Sequence, residues 1–448
     1  MKRYPQYKNS GVEWLGEVPE WWEVKKLKYL ADAFPSNIDK KSKDGEEAVW
    51  LCNYVDVYKN EFITSDLSFM AATASEDQRE KFVLRRGDVL ATKDSETPDD
   101  IANPALVLED FDNVLCGYHL THIKPKRIYG RYLFRYFQTK FLKSYFEVSA
   151  NGITRYGLGV DKFGSALILI PSPQEQTAIA NYLDRKTAEI DCLIANKERL
   201  IELYEEEKTA VINQAVTKGL DPDAPMKPSG IDWLGDIPEH WDVKRLKHLT
   251  VTISKGTTPS TAGREILPNG VVRFLKAENI LNNNVVSEPE NYIDEVTNEI
   301  LKRSKLEVDD LLFVIAGATI GKVAILSTDH LPANTNQAVA FIRLARKDFV
   351  KFVWYWLQSS IINELLWLKA VQSAQPNLSM ENLGNFYIPF PKPDEQTAIV
   401  QHIETECSRL DTIIDKFKKQ IELLKEYRTT LISEVVTGKI DVRDEVVQ

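Results

Sequence analysis

The sequence predicts an α+β protein made as a tandem duplication. Each copy is a strand-rich α/β globule followed by a long helix, and the two helices pair as an antiparallel coiled coil. Three observations predict this. Residues 10–30, SGVEWLGEVPEWWEVKKLKYL, return as residues 229–249, SGIDWLGDIPEHWDVKRLKHL, with 13 of 21 positions identical. Residues 171–191, PSPQEQTAIANYLDRKTAEID, return as residues 391–411, PKPDEQTAIVQHIETECSRLD. After each second repeat the apolar residues fall into heptads. The offsets are 219 and 220, so a chain of 448 residues is one unit of about 220 residues made twice. Two copies are too few for a solenoid, so the architecture is a domain pair.

Taken in order, residues 1–170 form the first globule. Its middle, 31–170, shares only traces with the second middle, 250–390. Arg86-Gly87-Asp88-Val89-Leu90 echoes Val308-Asp309-Asp310-Leu311-Leu312, and Tyr136-Phe137-Gln138-Thr139 echoes Trp356-Leu357-Gln358-Ser359. Short β-branched and aromatic runs punctuated by Gly, Asn, Asp and Pro predict strands. In the first middle they lie at Phe82–Leu84, Asp88–Ala91, Leu106–Leu108 and Leu120–Ile123. In the second they lie at Val271–Leu275, Leu311–Ile315, Lys322–Leu326 and Ala338–Leu344. One amphipathic helix is expected in each, near 131–147 and 348–369.

Residues 171–218 are the first long helix. Ile190, Ile194, Lys197, Ile201, Tyr204, Lys208, Val211 and Ala215 recur at alternating steps of four and three, the mark of a heptad seam. A shift of 220 gives Leu410, Ile414, Phe417, Ile421, Leu424, Arg428, Leu431 and Val435, in register. At 1.5 Å per residue each helix is roughly 60 Å long. Gly219 and Gly438 stand where helix C-terminal glycines belong. The Pro- and Asp-rich stretch 219–228, GLDPDAPMKP, reads as a linker. Residues 229–390 are the second globule, and 391–448 the second helix and tail. Paired within one chain about a pseudo-two-fold axis, the helices run antiparallel, with a globule near each end. That arrangement suits a split target with an unread spacer.

Charge is compatible with such a target once the chain is divided. Residues 1–170 carry 24 Lys+Arg against 25 Asp+Glu, and 229–390 carry 16 against 18. The helical stretches hold most of the net charge of -10: 171–228 carry 7 against 11, and 391–448 carry 9 against 12. The near-neutral globules leave room for a basic face. Four widely spaced cysteines, Cys52, Cys116, Cys192 and Cys407, suggest a reduced interior and no metal site. The polar start suggests no secretory signal, and no run is long enough to span a membrane.

Catalytic constellations are not found. Gly317-Ala318-Thr319-Ile320-Gly321-Lys322-Val323 resembles a phosphate loop. It is one residue short between its glycines and has Val where Ser or Thr should hold magnesium, so a tight turn between strands is the better reading. Asn103-Pro104-Ala105-Leu106 resembles an amino-methyltransferase motif without its second proline and aromatic, which leaves a flipped base no stacking platform. Glu23-Val24-Lys25 and Asp242-Val243-Lys244 resemble the end of a nuclease motif, but lie in the repeated frame and read as structure. His119 and His122 lie three apart on a strand, on opposite faces.

Nucleic-acid contact is the chemistry the residues favour. No acid occurs from 113 to 146, a window that holds Lys124, Lys126, Arg127, Arg131, Arg135, Lys140 and Lys143. Its interleaved aromatics read as core. Arg343 heads a weaker basic patch in the second unit. Two loops per unit are candidates for base contact. Asn151–Tyr156, with Thr154, Arg155 and Tyr156, is matched by Val371–Asn377, with Ser373, Gln375 and Asn377. Thr92–Ser95, with Lys93, is matched by Ala316–Lys322, ending at Lys322. Arg and Gln are the side chains that bond guanine and adenine edges in pairs. The alternatives are ordinary polar turns and solvated cations.

Nearly the whole chain resembles the specificity subunits of type I restriction-modification systems. The resemblance rests on SGVEWLGEVPE repeated as SGIDWLGDIPE, PSPQEQTAI repeated as PKPDEQTAI, Thr187-Ala188-Glu189-Ile190, and Gly317–Lys322 in the second variable region. It implies two target recognition domains joined by antiparallel helices, each reading one half of a bipartite site in double-stranded DNA. It implies no catalytic site and no cofactor on this chain. Two methyltransferase subunits bring S-adenosylmethionine, and restriction/translocase subunits bring ATP and magnesium chemistry. The implied setting is the prokaryotic cytoplasm, away from membranes. One departure is that the four-residue spacer repeat stands once, with Cys407-Ser408-Arg409-Leu410 in the second helix. A stand-alone enzyme would need a catalytic domain that two reader–helix units leave no room for. A purely protein-binding scaffold leaves the acid-free window unexplained.

Overall fold

The computed structural model describes residues 2–370 and 377–445. It divides into two compact units, Met1–Glu198 with Lys418–Gln448, and Arg199–Phe417. Each unit therefore holds one globule and part of both long helices. The expected boundary at 219–228 is not where the chain divides.

The first unit contains strands β1 (Tyr7–Asn9), β2 (Glu17–Pro19), β3 (Glu23–Lys26), β4 (Ala31–Pro35), β5 (Glu47–Cys52), β6 (Phe62–Ile63) and β7 (Met70–Ala74). It continues with β8 (Val89–Thr92), β9 (Asp94–Ser95), β10 (Pro104–Val107), β11 (Val114–Cys116), β12 (Leu120–Pro125), β13 (Tyr156–Gly157) and β14 (Leu167–Ile170). Its helices are α1 (Tyr54–Lys59), α2 (Glu76–Phe82), α3 (Gly130–Phe137), α4 (Lys140–Ser149), α5 (Val160–Ser165) and the start of α6 (Pro173–Lys218). Five strands run in the order β4-β12-β8-β10-β6, and a three-stranded sheet runs β11-β5-β7. All four residues of β8 and all four of β10 are buried, so both faces of those strands are covered.

The second unit has β15 (Met226–Pro228), β16 (Asp236–Pro238), β17 (Asp242–Arg245), β18 (Thr250–Lys255), β19 (Val272–Leu275), β20 (Ile280–Leu281) and β21 (Asn284–Val285). Then follow β22 (Tyr292–Ile293), β23 (Leu311–Val314), β24 (Val323–Ile325), β25 (Ala333–Thr335), β26 (Val339–Leu344) and β27 (Tyr387–Phe390). Its helices are α7 (Glu295–Ile300), α8 (Val350–Gln358), α9 (Ser360–Ala370), α10 (Met380–Gly384) and most of α11 (Pro393–Val436). The sheets run β18-β26-β23-β24 and β22-β19-β25. The first unit's plan of a larger sheet beside a three-stranded one recurs with one strand fewer in the larger sheet, although the two middles have almost no sequence in common.

The echo around Asp88 and Asp310 explains part of that plan. Each aspartate closes a turn into a buried strand, accepting from the backbone N–H of Arg85 and of Glu307. Each turn passes through a positive φ, at Gly87 (+93°) and at Asp309 (+72°). Strand expectations mostly hold. Phe82–Leu84 is the exception: Phe82 ends α2, and Val83 makes only an isolated bridge to Leu115. The single helix expected near 131–147 is two, because Thr139 Oγ1 accepts from Leu142 N–H and starts α4 afresh. The one near 348–369 likewise divides, at Ser359.

The repeated flanks owe their residues to one another. Ser172 and Glu175 form a reciprocal cap on α6. The Glu175 carboxylate also accepts from Trp21 Nε1 at 3.1 Å and Trp22 Nε1 at 3.4 Å. In the second unit Glu395 accepts from Trp241 Nε1 at 2.9 Å. Gln176 and Gln396 each donate back to a proline carbonyl five residues earlier. Helix ends complete the frame. A Cβ on Gly438 (φ +72°) would lie 2.5 Å from Pro19, and one on Gly219 (φ +76°) 3.2 Å from Trp241. So α11 ends on the frame at the start of the chain, and α6 on the frame that follows it. The end of the stretch 219–228 is itself a strand, since β15 pairs with β16 beyond it.

Burial along the two long helices is periodic. Between 191 and 210 the side chains withdrawn from solvent are Ile194, Lys197, Ile201, Tyr204 and Lys208, and the rest are exposed. Ile190, Leu410, Ile414, Ile421, Leu431 and Val435 are buried, while Val211, Phe417 and Leu424 are half-buried. In the first unit Arg428 Nε donates to Asp191 at 2.9 Å and Lys197 Nζ to Gln420 at 2.6 Å. In the second, Lys208 Nζ meets Asp411 at 2.5 Å and the Tyr204 and Phe417 rings lie 6.0 Å apart. Residue numbers fall on one helix as they rise on the other, so the pairing within each unit is antiparallel. Leu410→Ala should destabilise its unit by about 2–5 kcal/mol, while Leu423→Ala, at a position 51% exposed, should stay within about 0.5 kcal/mol. Chemical denaturation followed by helical circular dichroism checks this, and equal midpoints would mean that the seam does not hold the helices.

Candidate nucleic-acid interface

The two loops singled out in the first unit are brought together, and in the second unit their described ends, Ala316 and Asn377, meet. In the first, β9 pairs antiparallel with β13, Tyr156 opposite Ser95 and Gly157 opposite Asp94. Leu158 N–H donates to the Lys93 carbonyl at 2.8 Å. The turn before β13 requires Gly152, at φ +154°, where a Cβ would sit 2.0 Å from the Arg155 carbonyl oxygen. In the second unit Ala316 bridges Asn377, and Leu378 N–H donates to the Ile315 carbonyl at 2.8 Å. Ser373 and Gln375 lie outside the described residues. Asn377 is exposed.

Asp94 is the centre of the first interface. Its Oδ1 accepts from Arg155 Nη2 at 2.6 Å, and its Oδ2 lies 2.8 Å from His119 Nδ1. Beside it is a cavity of about 470 Å³ walled by Tyr54, Tyr58, Asp94, Asp100 and Arg155. A second cavity, of about 530 Å³, shares Tyr54 and is walled also by Tyr118 and His119. Tyr118 is 49% exposed, and the Lys93 ammonium sits 4.3 Å over its ring. Lys93 Nζ also donates to the Ser36 carbonyl at 2.9 Å. Burial lowers its pKa, with Asp94 opposing. Thr154 and Arg155 are exposed, and Tyr156 is half-buried.

Several expected cations serve the fold instead. Arg135 is 1% exposed; its guanidinium bonds Asp184 at 2.8 Å, Gln138 at 2.9 Å and Thr187 at 3.0 Å, and reaches Glu61 at 3.3 Å. It ties α3 to α6 and has no face left for a phosphate. Arg131 pairs with the same Asp184 at 2.5 Å, and Lys126 with Asp32 at 2.5 Å. Arg343 holds Asp310 with two bonds of 2.8 Å, which raise its pKa against its partial burial. His122 does the same service for Asp88, its Nε2 at 2.7 Å from Oδ2. Burial lowers the His122 pKa, and the Asp88 hydrogen bond only partly opposes this. Arg127 is exposed and Lys124 half-buried, and neither makes an ion pair among the described residues. Lys322 is half-buried at the end of a turn that joins β23 to β24 as an antiparallel hairpin. A phosphate loop needs a strand leading into a helix there, so the turn reading of Gly317–Lys322 is correct. Asn103–Leu106 runs into buried β10, and Glu23–Lys25 and Asp242–Lys244 are frame strands.

The sequence placed Asp94 only as a member of the Thr92–Ser95 loop and His119 only on a strand, and gave no role to Tyr54, Tyr58 and Tyr118, because cations were the residues sought. The usable signal was the aromatic pair Tyr118-His119 set in a turn after Gly117, where a packed core has no need of it.

A family model described as a type I restriction modification DNA specificity domain matches residues 19–203 and 238–423. The MjaVIII specificity subunit of Methanocaldococcus jannaschii, a type I restriction enzyme component, is 29% identical over 334 residues, 72% of each chain. The putative MjaX specificity subunit of the same organism is 23% identical over 439 residues, 96% of each chain. Among solved structures, a chain from work on assembly and conformational transition of the type I restriction-modification system superposes with a TM-score of 0.69 at 15% identity, covering 94% of this chain and 99% of its own. The HsdS subunit of Thermoanaerobacter tengcongensis gives a TM-score of 0.53 at 15% identity, covering 94% and 98%. At such identities these two likenesses are of fold.

Arg135→Ala leaves Asp184 and Gln138 short of a buried partner and should destabilise the first unit by about 3–5 kcal/mol. Arg155→Ala, at a side chain 58% exposed, should change stability by no more than about 0.5 kcal/mol. Thermal unfolding of the two variants separates the structural cation from the exposed one.

Proposed function

The chain belongs to the type I restriction-modification DNA specificity family, and on that premise we propose that it is a non-catalytic subunit whose two globules each read one half of a bipartite DNA site. One observation carries the reading. In both units the described ends of the two candidate loops meet beside a similar sheet held by a repeated frame, while the sequences around them differ. Two readers with separate targets require that combination.

The repeated frame is the surface on which two copies of one partner would dock, and methyltransferase subunits are the partner this reading assigns. They bring S-adenosylmethionine, and restriction/translocase subunits bring ATP and magnesium; this chain binds none of these itself. Its place is the cytoplasm. Among the described residues no helix is long and apolar enough to cross a membrane.

Expressed with its methyltransferase partner, the chain should give a bipartite adenine-methylated motif in the host methylome. Expressed alone it should give none. Exchanging residues 31–170 for the corresponding region of a relative should change one half of that motif only. Methylation by the isolated chain, or a change in both halves, refutes the reading.

The helices set the number of unread base pairs. Lys197 faces Gln420 and Lys208 faces Asp411, so a heptad inserted after Ile201 needs its counterpart after Phe417 to keep the seam matched. Seven residues add about 10 Å of helix. At about 3.4 Å per base pair the spacer should grow by roughly 3 bp, with both half-sites unchanged. The methylated motif of the doubly inserted variant measures this. An unchanged spacer with retained methylation shows that the helices are not the ruler.

A further inference from the structure

We propose that Arg155 reads a guanine in the half-site recognised by the first unit, and that Asp94 is the positioning residue that aims its guanidinium; this rests on the DNA-reading function above. The Arg155 side chain is 58% exposed, yet it is anchored at one nitrogen. Both of its polar contacts fall on Nη2, at 2.6 Å from Asp94 Oδ1 and 3.3 Å from His119 Nδ1. The Asp94 carboxylate draws the His119 proton to Nδ1, which then donates at 2.8 Å and has no lone pair for Arg155. Nη2 therefore keeps a second N–H. Nε and Nη1 have no hydrogen-bond partner among the described residues. On this exposed side chain an edge of two adjacent N–H groups is left without a protein partner among the described residues, which is the fork that guanine O6 and N7 accept.

The surroundings decide between a base and a phosphate. Asp94, Glu96 and Asp100 line the same cavity as Arg155. A phosphate there would meet three carboxylates, and its attraction to one guanidinium would be offset by them. A base edge is neutral and meets no such repulsion. The anchoring is also rigid. Asp94 and Arg155 stand on the paired strands β9 and β13 or next to them, so the backbone as well as the side chain fixes the aim. A side chain held before binding loses less freedom on binding, which favours discrimination over mere adhesion.

The test uses the full chain assembled with its methyltransferase partner, titrated over salt against duplexes carrying the wild-type motif and each single-base variant. Arg155→Ala should lose roughly 5- to 150-fold of its preference at one G·C pair of one half-site. The other half-site and the salt slope should stay as in the wild type. Arg155→Lys should lose the same preference, because an ammonium keeps the charge without the fork. Asp94→Asn should lose part of the preference at that same pair, while affinity for unrelated duplexes rises, because a carboxylate that repels phosphate is gone. The proposal is overturned if Arg155→Ala weakens every duplex alike and flattens the salt slope by about one while Arg155→Lys restores both, since that is a phosphate contact. It is overturned too if no position responds. If the wild-type complex shows no bipartite preference, the DNA-reading function itself fails, an outcome visible before any variant is compared.

Discussion

A long helix in water needs a partner, and in the stretch from 191 to 210 the helix α6 has a single narrow stripe with which to find one. Ile194, Ile201 and Tyr204 supply the apolar part, and Lys197 and Lys208 the polar part. Apolar heptads alone tolerate a slip by seven residues, because every seam position would still meet another. The basic residues remove that tolerance. Lys208 meets Asp411, and 220 positions on Arg428 meets Asp191, with Glu61 at 2.7 Å on its other side. Burial pulls the Arg428 guanidinium down, but these two carboxylates hold it above its ordinary range. A slipped register would leave such a cation half-buried and unpaired, at a cost of several kcal/mol. The globules depend on this register. Arg135 and Arg131 grip Asp184 on α6, and in the second unit Lys351 grips Glu404 on α11 at 2.6 Å.

The two middles show how far sequence can drift on a fixed plan. The buried aspartate at the turn into the central strand is common to both. Its partner is a histidine in one unit and an arginine in the other, both from the neighbouring strand. What the plan demands is a donor for a buried carboxylate, not a particular residue. The same holds where Gln138 donates to Glu61 at 2.8 Å, while Gln358 accepts from Asn283 at 2.6 Å. Because the scaffold is specified by satisfied polar groups and not by identities, loop residues are free to diverge toward different targets.

Periodic features were legible in the sequence and singular ones were not. The seam declared itself through steps of three and four, and most strands through their apolar runs. The break between α3 and α4 did not, because one threonine cap interrupts an apolar stripe that continues on both sides. Arg135 read as a surface cation because no acid stands near it in the chain. Its partner Asp184 lies 49 residues away, at the start of α6. Arg343 was misread for the same reason, since Asp310 reaches it across strands. The pairing of the two candidate loops was legible only as a coincidence of position in both copies. The acid that organises them stood inside one of those loops, but its role was hidden, because a DNA-binding face is read from positive charge and an aspartate is passed over.

That bias matters for how the protein holds DNA. Cations that look available in the acid-free window are partly neutralised from elsewhere: Arg131 and Arg135 by Asp184, and Lys126 by Asp32. A net charge of -10 adds a long-range repulsion toward a polyanion. Counterion release by this chain is therefore smaller than a count of lysines and arginines implies. Tight binding has to draw on other sources, and directional bonds to bases are the one this chain can supply. Directional bonds weaken little with salt and depend on orientation, so they favour anchored side chains over flexible ones. The carboxylate beside Arg155 weakens nonspecific attraction and sharpens aim together. In a subunit whose task is to discriminate, both effects act in the same direction.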